Sequence, residues 1–88
     1  MTVNAWFYGT FRQLAVRQRA VELADGANLG DLIEVLTQEY GLQFSQEISR
    51  VDEYFIMLNG NYCALQANRD KPLHDGDVVA FIPIMVGG

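Results

Sequence analysis

The sequence predicts an α+β fold in which one main helix lies across one face of a mixed sheet of about five strands. Three observations support this prediction. Apolar and polar residues alternate near the start of the chain, as they do in a half-buried strand. Apolar residues at helical spacing occupy Leu29–Tyr40. A continuous apolar run over residues 78–82 indicates a strand covered on both faces, and therefore one in the middle of the sheet.

The first two strands are predicted to form an antiparallel hairpin. The alternation near the N-terminus places Phe7 on the side of the core, and a second alternating stretch covers residues 19–23. Residues 10–17 between them are predicted to form a turn. Trp6 and Tyr8 have the opposite parity to Phe7. They therefore either form an exposed face of the sheet that can bind a partner, or pack beneath the C-terminal segment or a loop.

The main helix has recognisable start and stop signals. Asn28 is an N-cap candidate, and Gly41 follows the last residue of the apolar stripe. Gly30 lies inside the helix and is expected to weaken it slightly. Residues 42–52 are predicted to form either a short helix or an ordered loop. The stripe that packs on the sheet consists of Leu29, Leu32, Ile33, Leu36 and Tyr40.

A second hairpin precedes the last strand. Asn59-Gly60 is a strong type I′ turn signal between a strand over residues 54–58 and a short strand over residues 61–65. A polar loop and a turn then lead to the central strand. The resulting order, β-β-α-β-β-β, is that of the β-grasp, or ubiquitin-like, arrangement, which we assign to residues 1–83.

Composition and charge limit the possible functions. The net charge is −5 and the six basic residues are scattered, whereas a nucleic-acid-binding protein usually shows a basic face. No apolar stretch approaches the roughly 20 residues that span a membrane. With one cysteine, a disulfide framework is excluded. We therefore expect a cytoplasmic protein that binds neither nucleic acid nor membrane.

No group of residues forms a convincing catalytic or metal site. Cys63 has no histidine near it in sequence, and a small buried residue is the better interpretation. His74 lies beside Asp75 and Asp77, but turn chemistry explains these residues without a metal. No glycine-rich phosphate loop is present. We expect a protein that is not itself an enzyme, holds no metal and binds no cofactor or ATP on its own.

The chain ends in an apolar segment followed by two glycines. Pro83 cannot donate to a sheet, so the last strand should stop near it and residues 84–88 should project as a tail. Gly87 and Gly88 can enter a narrow channel and leave the terminal carboxylate unhindered. That carboxylate needs activation, for instance as an acyl-adenylate, before a sulfur or amine nucleophile can attack it. An inert or accidental Gly-Gly would not explain the apolar residues Ile84, Met85 and Val86 before it.

The C-terminal sequence LHDGDVVAFIPIMVGG resembles the signature of the MoaD/ThiS family of sulfur carriers, and the molybdopterin synthase small subunit in particular. That signature is close to L-x-D-G-D-x-V-x-F-x-P-P-x-x-G-G. The matching residues are Leu73, Asp75, Gly76, Asp77, Val79, Phe81, Pro83, Gly87 and Gly88. Near the N-terminus, Phe7 and Arg12 match a weaker family pattern.

The resemblance implies that an E1-like enzyme consumes ATP to adenylate Gly88, which then becomes a thiocarboxylate. In molybdopterin synthase, this tail enters a large subunit (MoaE-like) and donates its sulfur. The residues implied in the partner contact are Phe81, Pro83, Ile84, Met85 and Val86. Ile84 stands where the molybdopterin carrier usually has a second proline. Three alternatives therefore stay open: a carrier for thiamine, cysteine or tRNA thiolation, a modifier conjugated to lysines, and an interaction module with an inert tail.

Overall fold

The computed structural model describes residues 1–9, 11, 16–49 and 54–83. Its strands are β1 (Thr2–Phe7), β2 (Gln18–Glu22), β3 (Tyr54–Leu58), β4 (Asn61–Cys63) and β5 (Val78–Pro83), and its helices are α1 (Leu29–Tyr40) and α2 (Leu42–Ser49). A short 3-10 helix covers Gln66–Asn68. This order confirms the predicted ubiquitin-like α+β fold and adds a second helix to it.

The five strands form one mixed sheet in the order β2-β1-β5-β3-β4. β5 is central, as its apolar sequence predicts. It runs parallel to β1 and antiparallel to β3. The two predicted hairpins, β1–β2 and β3–β4, are both antiparallel. Asn59 and Gly60 have φ angles of 51° and 84°, as a type I′ turn between β3 and β4 requires.

The ends of α1 lie where the sequence predicts them. The Asn28 side chain accepts a hydrogen bond from the Asp31 N–H at 2.8 Å, and the Asp31 carboxylate accepts one from the Asn28 N–H at 2.8 Å. This reciprocal pair is a capping box, which satisfies two N–H groups that the helix would leave unpaired. At the other end, Gly41 adopts φ 80° and its N–H donates to the Thr37 carbonyl at 2.8 Å.

The segment after Gly41 is helical over Leu42–Ser49. Of the two predicted alternatives, a short helix and an ordered loop, the helix is therefore correct for these residues. Phe44 and Ile48 lie on the buried side of α2, with exposed fractions of 0% and 5%. They enlarge the core beyond the stripe of α1. Part of the predicted segment, residues 50–52, lies outside the described residues.

One end of the core is aromatic. Phe7 and Phe81 stack at a centroid distance of 5.5 Å, and Phe44 meets both rings edge-on. Phe11 completes the cluster and is fully buried, although it falls in the predicted turn over residues 10–17. Most of that turn lies outside the described residues. The cluster sits between the middle of the sheet and α2.

The polar segment before β5 packs closely against the start of α1. The N–H groups of Leu29 and Gly30 donate to the carbonyls of Lys71 and Arg69, at 3.0 and 2.8 Å. A Cβ on Gly30 would lie 3.3 Å from the Arg69 carbonyl oxygen. Glycine at this position therefore permits a close approach between the helix and the loop. No helix in the described part of the chain is long and apolar enough to cross a membrane.

Candidate functional site

The tail predicted to carry the chemistry lies outside the described residues, since they end at Pro83. β5 is described as far as Pro83, which pairs with Tyr54 in the β5–β3 ladder, so the predicted stop of the strand near Pro83 stays a prediction. The proposed roles of Ile84, Met85 and Val86, and of Gly87 and Gly88, therefore stay predictions. The structure does describe the strand from which the tail continues.

Phe81 lies in the core, which corrects its assignment as a partner contact. Its side chain is 1% exposed and packs against Phe7, Phe11 and Phe44. In the parallel ladder, Phe81 is the register partner of Phe7, which the sequence already places in the core. A partner cannot reach this ring on the folded domain, so its contribution is to hold β5 in place.

The turn before β5 is fixed by hydrogen bonds that its two acidic residues accept. Asp75 accepts from the Thr2 N–H at 2.7 Å, and the Gly76 N–H donates to the Thr2 carbonyl at 2.8 Å. Asp77 accepts from the His74 N–H at 2.8 Å. These contacts tie the turn to the first strand and give both carboxylates a structural role. They support the interpretation of Asp75-Gly76-Asp77 as turn chemistry.

His74 shows no metal-binding arrangement. Its side chain is 80% exposed, and its Nδ1 lies 3.9 Å from an Asp77 carboxylate oxygen that already accepts a backbone hydrogen bond. Among the described residues, no group of three or more histidine, cysteine or acidic side chains could hold a metal ion.

One face of the sheet carries a row of apolar side chains. The register places Trp6 beside Ala80, Ala80 beside Met57, and Met57 beside Tyr62, across strands β1, β5, β3 and β4. These positions alternate with the core residues, so they point away from the helices. Tyr62 is 64% exposed, while Trp6 and Met57 are half-buried. We call Trp6, Met57, Tyr62, Ala80 and the half-buried Ile82 the apolar sheet face.

The apolar sheet face and the predicted tail share one strand. Ala80 and Ile82 lie on β5, whose last described residue follows Ile82. A partner that takes up residues 84–88 would therefore lie close to this face. Trp6 is half-buried and Tyr8 is 39% exposed; because the tail lies outside the described residues, both alternatives for Trp6 stay open.

A second surface feature lies at the opposite end of β5. A groove of about 400 Å³ runs beside the β3–β4 turn and is lined by Asn61, Tyr62, Cys63, Asn68 and Lys71, among others. Cys63 is only 6% exposed, which confirms that it is a small buried residue. No local sequence pattern predicts this groove, because it forms only when the loop over residues 66–72 packs beside the hairpin.

Comparisons with known proteins agree with this architecture. The family model of the ThiS family matches residues 5–88. A Pyrococcus furiosus protein assigned as molybdopterin converting factor, subunit 1, is 29% identical, with a TM-score of 0.76 over 97% of this chain and 99% of that chain. No curated protein sequence matches the chain significantly.

Two further structures are similar over the whole chain. One is from the complex of subunits 1 and 2 of the molybdopterin-converting factor of Helicobacter pylori 26695, at 25% identity and a TM-score of 0.66, with 100% of both chains covered. SAMP1 from Haloferax volcanii, at 21% identity, a TM-score of 0.77 and 100% of both chains covered, shares the fold. Because the family match spans nearly the whole sequence, this chain belongs to the ThiS family of small ubiquitin-like sulfur carriers, which are non-catalytic protein partners.

Proposed function

We propose that the chain carries sulfur as a thiocarboxylate on Gly88 and that it acts in molybdopterin biosynthesis as the small subunit of molybdopterin synthase. The observation that carries the proposal is the extent of the family match, which runs to Gly88 and so includes both terminal glycines. Two of the similar proteins, at 29% and 25% identity, belong to molybdopterin converting factors. Those likenesses support the pathway assignment.

The proposed chemistry takes place on the terminal carboxylate. In the active site of an E1-like enzyme, a Gly88 carboxylate oxygen attacks the α-phosphorus of ATP. Pyrophosphate leaves, and an acyl-adenylate forms. A sulfur nucleophile then attacks the acyl carbon, and AMP leaves with the electrons of the broken C–O bond. Gly87 and Gly88 present no side chains, so the acyl group can enter a narrow active site. The activating enzyme binds the ATP in this scheme.

The domain would supply a rigid base and a docking surface for this tail. β5 pairs with β1 as far as Phe81 and with β3 as far as Pro83, so the strand that leads to the tail is held in a fixed place. The apolar sheet face lies beside that point. We propose that the E1-like enzyme and a MoaE-like large subunit cover this face while Ile84, Met85 and Val86 contact the channel that receives the glycines. Such a pathway would be cytoplasmic.

The direct test is the intact mass of the chain after incubation with ATP, a sulfur source and a candidate activating enzyme. We expect the mass to rise by the difference between sulfur and oxygen. The matched control lacks only Gly88 and should keep its mass and its unfolding temperature. No change in the full chain, under conditions that convert a known carrier, would contradict the proposal and leave the protein modifier and the inert-tail module as the alternatives.

A second experiment tests the pathway. The thiocarboxylated chain is mixed with a molybdopterin synthase large subunit and its pterin precursor, and dithiolene product is measured. Because Ile84 stands where the molybdopterin carrier usually has proline, the same chain is tested with thiamine, cysteine and tRNA thiolation enzymes. Sulfur transfer only to one of those enzymes would reassign the pathway. Adducts to lysines of other proteins that survive reductant would instead indicate a protein modifier.

A further inference from the structure

The chain contains a single lysine. Its basic residues are Lys71 and the arginines Arg12, Arg17, Arg19, Arg50 and Arg69. An arginine guanidinium stays protonated and is not a nucleophile, whereas a lysine amine becomes one when it loses its proton. If the C-terminus of one copy is converted to a reactive acyl group, Lys71 is therefore the one lysine of another copy with which it can react.

Lys71 is well placed to react. Its side chain is exposed, and its Nζ has no ion pair or hydrogen bond with any described residue. Its backbone is fixed, because its N–H donates to the Asn68 carbonyl and its carbonyl accepts from the Leu29 N–H, both at 3.0 Å. The α-amine of Met1, by contrast, donates to the Leu23 carbonyl at 2.8 Å. Of these two primary amines, Lys71 is the available one.

The groove beside the β3–β4 turn leads to this amine. Its lining includes the carboxamides of Asn61 and Asn68, which can exchange hydrogen bonds with the peptide groups of an extended chain. Tyr62 adds an aromatic ring beside them. The tail of a second copy, apolar and then Gly-Gly, offers its peptide groups to these amides and its apolar side chains to this ring.

The positions of the tail and the groove favour reaction between two copies. β5 pairs with β3 from Val79 opposite Leu58 to Pro83 opposite Tyr54, a distance of about 13 Å along the strand. The groove borders Leu58, whereas the tail continues from Pro83. Residues 84–88 span at most roughly 17 Å when extended. To reach its own Lys71, the tail would have to turn back along β5 and then extend past β3 to the groove.

We propose that Lys71 is an acceptor for the activated C-terminus of a second copy of this chain, with the tail of the donor seated in the Lys71 groove. This inference rests on the proposed activation of Gly88. The unprotonated Nζ attacks the acyl carbon of the Gly88 adenylate and forms the C–N bond of an isopeptide. The C–O bond to AMP breaks, AMP leaves with that electron pair, and the ammonium proton passes to the solvent. Sulfur donors compete for the same acyl carbon, so the linked dimer accumulates when sulfur is scarce.

The test incubates the full chain with the activating enzyme and ATP, without a sulfur source. Activation is followed by ATP–pyrophosphate exchange, and products are analysed by intact mass and denaturing gels with reductant. We expect a species of twice the chain mass minus one water, branched at Lys71, which declines when a sulfur source is added. Lys71→Arg should lose this species and keep the exchange rate. Exchange without dimer, a dimer that persists in Lys71→Arg, or a dehydrated monomer would overturn the inference.

Two further measurements ask separate questions. The first tests whether the groove selects the lysine that reacts, and the second distinguishes failure of the Lys71 proposal from failure of the proposed activation of Gly88. The double variant Arg69→Lys, Lys71→Arg keeps both charges but moves the amine two residues along the same loop. It should form little dimer, and full restoration would show that the groove does not select the acceptor. If no exchange occurs, the proposed function fails. A chain prepared with Gly88 as a thioester then tests Lys71 directly, since its dimer must again disappear in Lys71→Arg.

Discussion

Asn59 and Asp77 join the β3–β4 turn to the start of the central strand. The Asn59 Nδ2 donates to the Asp77 Oδ1 at 2.9 Å, while the Asn59 Oδ1 accepts from the Val78 N–H at 2.9 Å. The other oxygen of Asp77 accepts from the His74 N–H at 2.8 Å. Each oxygen of Asp77 therefore binds a different segment. An acidic residue that matches a sulfur-carrier motif thus acts by fixing the strand that leads to the tail.

We expect Asp77→Ala to lower the free energy of unfolding by about 1–3 kcal/mol, because it removes two hydrogen bonds to a charged acceptor. Urea denaturation measures this change. The matched control is Asp70→Ala, which removes the same charge from an exposed position and should stay within about 0.5 kcal/mol. Equal effects of the two substitutions would show that net charge, and not the turn, explains the loss.

Gly30→Ala should fail to stabilise α1. Replacing a helical glycine by alanine usually adds roughly 0.5–1 kcal/mol of stability. Here the new Cβ would lie 3.3 Å from both the Arg69 carbonyl oxygen and the Asn28 Oδ1. Both atoms accept helix N–H groups, so neither can retreat without losing a hydrogen bond. We expect an unfolding midpoint in urea at or below that of the wild type, and a clear increase would show that the loop yields.

Phe81→Ala should lower the free energy of unfolding by about 3–5 kcal/mol, as for other large core aromatic residues. That is a large share of the roughly 5–15 kcal/mol that stabilises a typical domain. Phe81→Leu keeps an apolar side chain in the cluster and should remain folded. Its affinity for the activating enzyme, measured on folded protein by calorimetry, should equal that of the wild type. A weaker affinity in a stable Phe81→Leu protein would restore Phe81 as a partner contact.

Local patterns were sufficient to predict most of the fold. Strand alternation, the Asn28 cap and the Asn59-Gly60 turn are properties of a few neighbouring residues, and the structure confirms each of them. The central place of β5 follows from its two-sided apolar sequence. The helical state of residues 42–49 could not be decided, because Phe44 and Ile48 are too few to define a period.

The features that were missed depend on contacts between distant segments. Phe11 has no periodic apolar neighbours, so nothing in the sequence indicates that it fills the aromatic cluster. Phe81 was assigned to a partner surface by family resemblance, although its register with Phe7 places it in the core. The Lys71 groove requires the loop and the hairpin to meet, which no local pattern describes.

The apolar sheet face should be required for binding to the activating enzyme. We expect Ile82→Asp to abolish measurable binding, because burying an unpaired carboxylate against a partner costs far more than one apolar contact contributes. Binding is measured by calorimetry with the purified enzyme, and folding of the variant is checked by its circular dichroism spectrum.

The matched control for Ile82→Asp is Gln18→Asp. Gln18 lies opposite Trp6 on the edge strand β2, so this variant adds the same charge at the rim of the same face. We expect Gln18→Asp to bind with nearly wild-type affinity, since a carboxylate at an exposed rim stays hydrated. If both variants lose binding equally, general charge repulsion explains the effect. If a folded Ile82→Asp protein still binds, the partner approaches the tail from another side of the domain.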